Sequence, residues 1–233
     1  MTSYIGPLAQ ESTPSIIADK LRKAIGHGEF KPGSQVVEAD LARKLGVSRG
    51  PLREGMQRLT QEGLLVSIRN RGLFVIDMTP REIRDMYCAR EAIERAAALL
   101  ILRDGDFESV GLDLHAIAER MKPVRHDPAA VGEIDIAFHE FLVQASGSPR
   151  LVRMHRTQII ETRMCIHALE STYTAADNRY LEHRRIAAAI RDCEVERVDE
   201  LLSDHMDDAI QRLTGKSPAP AGNPTAQATT PGK

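Results

Sequence analysis

A mainly α-helical chain in two modules is what this sequence predicts: three helices with a β-hairpin, then an antiparallel bundle of about six helices. Three observations predict it. The 233 residues suffice for two compact domains of about 100 residues each. With no Trp, 4% aromatic and 42% hydrophobic residues, the core must be built from Leu, Ile, Val, Ala and Met, a composition common in packed helices. Apolar residues recur at helical spacing along most of the chain, and β-type runs are confined to residues 64–76.

The first helix is expected over residues 14–27, where Ile16, Ile17, Leu21, Ala24 and Ile25 share one broad face; Gly28 and the Lys31-Pro32-Gly33 turn end it. A short helix follows over 38–45, then Gly46, then a helix over 49–62 that Gly63 stops where a left-handed residue is wanted. The runs 64–68 and 73–76 flank the polar turn Arg69-Asn70-Arg71-Gly72 and read as a hairpin. Thr79-Pro80-Arg81-Glu82 supplies an N-cap, a Pro at the first helical position and an early acid, so a long helix should run from 79 to about 103. Further helices are expected over 106–122, 127–146, 149–169, 175–192 and 194–214, with no strand signal after Ile76. Residues 215–233 hold four Pro, three Gly and no Val, Ile, Leu or aromatic residue; they cannot offset ordering entropy by burial and are expected to be disordered. Residues 1–13 are expected to be a flexible N-terminus, which leaves modules at 14–78 and 79–214.

Composition excludes several classes. The longest apolar block, 96–102, is far short of the roughly 20 residues of a membrane span. Residues 1–10 lack the basic start, apolar core and cleavage site of a secretory signal. Cys88, Cys165 and Cys193 are odd in number and far apart, which suits a reducing, cytoplasmic setting; Cys88 and Cys165 are expected to pack as small apolar groups. The net charge of -2 argues, at face value, against a nucleic-acid binder. It is not evenly spread. Residues 1–78 carry 11 Lys and Arg against 8 Asp and Glu (+3), residues 79–214 carry 18 against 25 (-7), and the tail carries +2. A basic head joined to an acidic body fits a DNA-contacting module with a separate regulatory one.

The head has the parts such contact needs. Two helices are joined by a Gly-containing turn, and Leu41, Leu45, Val47, Leu52, Met56 and Leu59 can fill the angle between them. Ser48, a plausible N-cap, stands with Arg49 and Arg53 at the start of the second helix, where a recognition helix meets base edges and phosphates. The hairpin adds Arg69 and Arg71, with Gly72 permitting close backbone approach, which makes a winged helix-turn-helix. Residues 29–76 closely resemble the winged-helix domain of GntR-type bacterial transcription regulators. The phrases that match are Gly28-Glu29-Phe30-Lys31-Pro32-Gly33, then Leu41-Ala42 through Gly46-Val47-Ser48-Arg49-Gly50-Pro51-Leu52-Arg53-Glu54, then Glu62-Gly63-Leu64, and Asn70-Arg71-Gly72 before Phe74-Val75. The resemblance implies that Ser48, Arg49, Gly50, Pro51 and Arg53 open the recognition helix and that Arg71 and Gly72 form the wing tip. Ala39 stands where some FadR-branch members carry a DNA-contacting Arg, so their operator cannot be transferred to this chain.

In the acidic module, Asp135 and His139 lie one turn apart on a predicted helix, a spacing that lets a carboxylate and an imidazole share one divalent ion. His183 and His205 lie on later helices. Residues 80–214 look like the all-helical FCD effector domain of the FadR branch, and Arg90-Glu91-Ala92-Ile93-Glu94 is similar to the Arg-x-x-Leu-Glu phrase that begins it. The resemblance implies a metal held by Asp135, His139, His183 and His205. Such nitrogen-rich ligation suits Zn²⁺ or Ni²⁺ without choosing between them, and leaves coordination positions for an effector carboxylate. Arg90 and Arg163 are candidates to neutralise that acid, with a surface ion pair as the competing role. His115, His126, His155 and His167 have no partner at metal spacing and are assigned structural or surface roles. The whole implies a cytoplasmic regulator, of the repressor type more common in the family. It would bind a two-fold operator as a homodimer and respond to a small carboxylate-containing effector. A metal sensor remains an alternative, as does, more remotely, a metal-dependent enzyme fused to a DNA-binding head. No HExxH or Glu-x-x-His motif favours the enzyme.

Overall fold

The structure, a computed structural model, describes residues 11–104, 106–168 and 176–215. The expected flexible start and disordered tail fall almost wholly outside the described residues. The head begins with α1 (Thr13–Gly26), capped by the Ser12 hydroxyl, which accepts from the Ser15 N–H at 3.4 Å, with Pro14 in the first turn. Helices α2 (Glu38–Leu45) and α3 (Arg49–Gln61) follow. Between them Gly46 sits in the left-handed region at φ 65°, which an L side chain resists; its N–H and that of Val47 satisfy the Arg43 and Ala42 carbonyls at the end of α2. Ser48 has the extended backbone of an N-cap but its hydroxyl makes no capping bond.

The hairpin pairs β2 (Leu65–Ile68) with β3 (Gly72–Val75) in antiparallel register, Leu65 opposite Val75. A third strand, β1 (Gln35–Val36), joins the far edge of β3, giving the order β1-β3-β2. The sequence reading missed β1, because two residues carry no alternation. Gln35 repays the pairing by donating its side-chain amide to the Arg71 carbonyl at 2.8 Å, which braces the wing tip. Ile17, Leu21, Ile25, Leu41, Leu52, Leu59 and Val75 form the head's core.

Six helices make the second module, as the periodicity predicted: α4 (Pro80–Asp104), α5 (Phe107–Glu119), α6 (Pro128–Ala145), α7 (Pro149–Ala168), α8 (Ala176–Arg191) and α9 (Val195–Thr214). No strand follows Val75 among the described residues. Leu102, Leu114, Phe138, Leu142, Ile186, Ile190 and Leu202 bring α4, α5, α6, α8 and α9 into one core. Helix α5 lies close against α8 because Gly111 has no side chain: a Cβ there would stand 2.6 Å from the Arg191 backbone. The expected helix over 106–122 stops at Glu119, and turns carry the chain to the Asp127 cap of α6. Cys165 is fully buried, but Cys88 is exposed on α4, contrary to the expectation that it packs.

The modules share apolar surface. Ile160 and Met164 of α7 enter the head's core beside α1, and Arg156 of α7 reaches Asp19 of α1 at 3.3 Å. Helix α7 therefore belongs to both cores, and a shift in it is felt on both sides.

Candidate metal centre and nucleic-acid interface

At the head, Ser48, Arg49 and Gly50 are exposed at the start of α3, with Pro51 half-buried and Arg53 exposed one turn on. Arg49 has no ion pair among the described residues and is free to meet a base or a phosphate. Arg53 is instead held by Glu38 at the start of α2, Nε to Oε2 at 2.8 Å, on the surface. On the wing, Arg69, Arg71 and Gly72 are exposed, and the Arg71 guanidinium lies 5.5 Å over the Phe74 ring, a cation–π contact that limits its wandering. Asn70 takes φ 61° at the turn, a value Asn tolerates better than most side chains.

The four proposed ligands converge. Asp135 and His139 come from α6, His183 from α8 and His205 from α9, and one ligand atom of each lies within 4.8 Å of all the others. All four are buried. His139 Nε2 and His205 Nε2 are 3.1 Å apart, and His183 Nε2 is 3.3 Å from Asp135 Oδ1 without forming a hydrogen bond.

Why three imidazoles turn the same nitrogen inward follows from their other nitrogens. His139 Nδ1 faces Glu94 Oε2 at 2.6 Å, His205 Nδ1 faces Glu182 Oε2 at 3.0 Å, and His183 Nδ1 faces the Arg179 carbonyl at 2.8 Å. Each of those partners only accepts, so each Nδ1 carries the proton, and each neutral ring then presents an Nε2 lone pair to the centre. Three lone pairs and a carboxylate meeting in a buried space repel one another unless a cation stands between them. The donor set thus fits a divalent ion and leaves a polar nitrogen, His183 Nε2, otherwise unsatisfied.

Electrostatics maintain that protonation state. Burial pushes the His139 imidazolium down to about 3, against the opposing pull of Glu94. Burial lowers His205 as well, with the Glu182 hydrogen bond opposing. Burial acts to raise the Asp135 carboxyl, but its contact with His183 and the charges around it win and hold it well below the usual range. His139 and His205 are thus held neutral beside an ionised carboxylate, which is what metal ligation requires.

Glu94 organises the layer behind the ligands. Fully buried, it accepts from Arg90 Nε at 2.6 Å and His155 Nε2 at 2.9 Å through one oxygen, and from His139 through the other. Burial alone would raise its carboxyl; Arg90 first, then His139 and His155, hold it well below the ordinary value. The sequence reading assigned no role to Glu94 or Glu182 and left His155 without a partner. One available signal was the i, i+4 pairing of Arg90 with Glu94; Glu182 had none beyond preceding His183.

The two arginines expected at an effector part company. Arg90 lines a small cleft beside the ligands with Tyr87, Asp135, Arg179, His205 and Arg212, and its Nη2 is buried without a hydrogen bond. The cleft encloses only about 10 Å³. Arg163 lies elsewhere: it pairs with Glu133 through Nε at 3.0 Å and Nη2 at 3.1 Å, and its stem faces α1 at Gly26.

A winged helix-turn-helix fused to a helical domain with a buried ligand set defines a DNA-binding transcription regulator with an effector module. Comparison with known proteins agrees. The profile of bacterial regulatory proteins of the gntR family matches residues 15–75, and that of the FCD domain matches residues 85–208. The HTH-type regulator YdhC of Bacillus subtilis is 26% identical over 201 residues, covering 84% of this chain and 88% of that protein. The HTH-type transcriptional repressor GlaR of Escherichia coli is 25% identical over 199 residues, covering 80% and 89%. A GntR-type regulator structure from Rhodococcus sp. RHA1 superposes with a TM-score of 0.75 at 28% identity, covering 89% of this chain and all of that one. The chain belongs to the gntR family of transcriptional regulators and carries an FCD effector domain.

Proposed function

We propose that the chain is a cytoplasmic, ligand-responsive repressor that binds a two-fold operator as a homodimer. Residues 14–78 would bind DNA, and residues 79–214 would dimerise and bind the effector. Ser48, Arg49, Gly50, Pro51 and Arg53 would enter the major groove while Arg69, Arg71 and Gly72 of the wing meet the backbone. Repression is supported by GlaR, a relative named a repressor over most of its length. A homodimer is supported by the outward face of α4, where Cys88, Ala89, Ala92 and Leu99 are exposed.

The FCD domain would hold a divalent ion, Zn²⁺ or Ni²⁺ by donor type, on Asp135, His139, His183 and His205. The observation that carries this is the inward turn of three Nε2 atoms, each fixed by an acceptor on Nδ1. Once bound, the ion would supply a Lewis-acidic point for an organic carboxylate. Arg90, whose Nη2 is unspent, would neutralise the remaining charge of that acid, and Tyr87 would close the cleft beside it. Arg163 is reassigned from the effector to the seam between the modules, because Glu133 already occupies it. The 10 Å³ cleft has room for no ligand larger than about one water as it stands, so a metal-only signal keeps support as a second reading.

Native mass spectrometry of protein from its own host would show the ion, any retained acid and the dimer together. Operator affinity followed during addition of metal, then of small acids, separates the two signals. Response to metal alone selects the metal sensor; no ion after purification and no metal-dependent response refutes both.

A further inference from the structure

We infer that the seam between the head and α7 holds a second small-molecule site, shaped for an organic anion with an apolar body and separate from the metal centre. A cavity of about 510 Å³ lies there, within the size range of ligand pockets. The head contributes Ile25, His27, Phe30 and Lys31, and α7 contributes Met164 and His167. Ile25, Phe30 and Met164 give an apolar wall. Every titratable residue among those lining it is a base, and no carboxylate is among them.

A second cavity on the seam, about 290 Å³, has the opposite character: Glu62, Glu82, Asp85 and Glu161 line it and no base does among the described residues. The seam is thus polarised, and an anion is directed to the first cavity and repelled from the second. His167 Nε2 is buried behind the α7 wall of the cavity without a hydrogen bond, 3.6 Å from a Glu133 oxygen whose charge Arg163 already offsets, so the ring has to turn for that nitrogen to reach a ligand. His27 commits Nδ1 to the Lys23 carbonyl at 2.7 Å, and its ring centre lies 6.0 Å from that of His167. A carboxylate seated between His27, Lys31 and His167 would take donors from both modules at once. Its occupancy would then favour one placement of the head on α7, and operator affinity would change with it.

The test uses full-length, metal-loaded protein with 2-naphthoate as the probe and neutral 2-naphthamide as control. Probe fluorescence is read directly, since the chain has no Trp to overlap it. The naphthoate should bind at least about tenfold more tightly than the amide, and Lys31→Ala should remove about tenfold of that affinity. Lys31 is exposed and makes no ion pair among the described residues, so this variant should melt like the parent. Met164→Trp, which fills the cavity and is read by calorimetry because its indole overlaps the probe, should abolish binding. Equal affinity for acid and amide, or undiminished naphthoate binding in Lys31→Ala, overturns the inference and leaves the metal reading untouched.

Discussion

At the scale of single residues, the buried cluster of Asp135, His139, His183 and His205 is held in place by carboxylates outside it, Glu94 and Glu182. Glu94→Gln keeps the size of the side chain but loses the charge that holds His139 Nδ1–H and Arg90 together. Metal affinity should fall about 10- to 100-fold, read by competition with a chromophoric chelator, whereas His205→Ala should remove tight binding altogether. A second consequence concerns pH. In the folded, metal-free chain His139 stays neutral down to about 3, while the unfolded chain takes up that proton near 6.5. Between those values the unfolded state binds more protons, so stability rises with pH and is lost on acidification through this window. The depressed Asp135 and Glu94 carboxyls act in the same direction at lower pH. The melting-point advantage of the metal-free parent over metal-free His139→Gln should therefore shrink from pH 6.5 downward; an advantage that stays constant to pH 4 contradicts the buried neutral imidazole. The four residues of the buried cluster were legible because Asp135 and His139 share a helix stripe and the resemblance to the FCD domain extends to His183 and His205. Glu94 and Glu182 were not, since their roles arise only when α4, α6, α8 and α9 pack together.

At the scale of elements, α3 is where the operator should be read. Arg49→Ala should cost roughly 1–3 kcal/mol of specific over non-specific binding with an unchanged melting curve, measured by mobility shift at physiological salt. Arg53 should respond differently, because its Nε is already held by Glu38. Glu38→Gln frees that guanidinium and removes a nearby negative charge, so operator binding should tighten. The paired helices α5 and α8 supply another check. Gly111→Ala places a methyl group 2.6 Å from the Arg191 backbone, which cannot rotate away as a side-chain tip could. Destabilisation of about 1–3 kcal/mol or more is expected in thermal or urea unfolding. Long helices and the hairpin were legible from period and punctuation. The two-residue strand β1 was not, because it exists only through its pairing with β3, and the stop at Glu119 was not, because the apolar pattern continues through Met121.

At the scale of the whole molecule, the near-neutral net charge conceals a polarised architecture, and the seam repeats that pattern locally. The partition into a basic head and an acidic body could be read along the chain, but the seam could not, because it joins residues more than 70 positions apart, such as Glu82 and Glu161. There Glu161 of α7 is pushed up to about 7, by burial first and by Asp85 of α4 second. Glu82 and Glu62 line the same cavity, the latter paired with Arg22 at 2.7 Å. An acid whose folded value lies above its unfolded value of 4.5 keeps its proton better in the folded state. Its contribution is thus intact below about 4.5 and is lost as pH rises through 7. Removing the titration with Glu161→Gln should leave stability near the parent's at pH 4.5 and raise it by up to roughly 3 kcal/mol at pH 8. The gain should appear as a melting-point difference between variant and parent that grows with pH. A difference independent of pH would mean that Glu161 is already ionised, and that the seam carries four full negative charges without penalty.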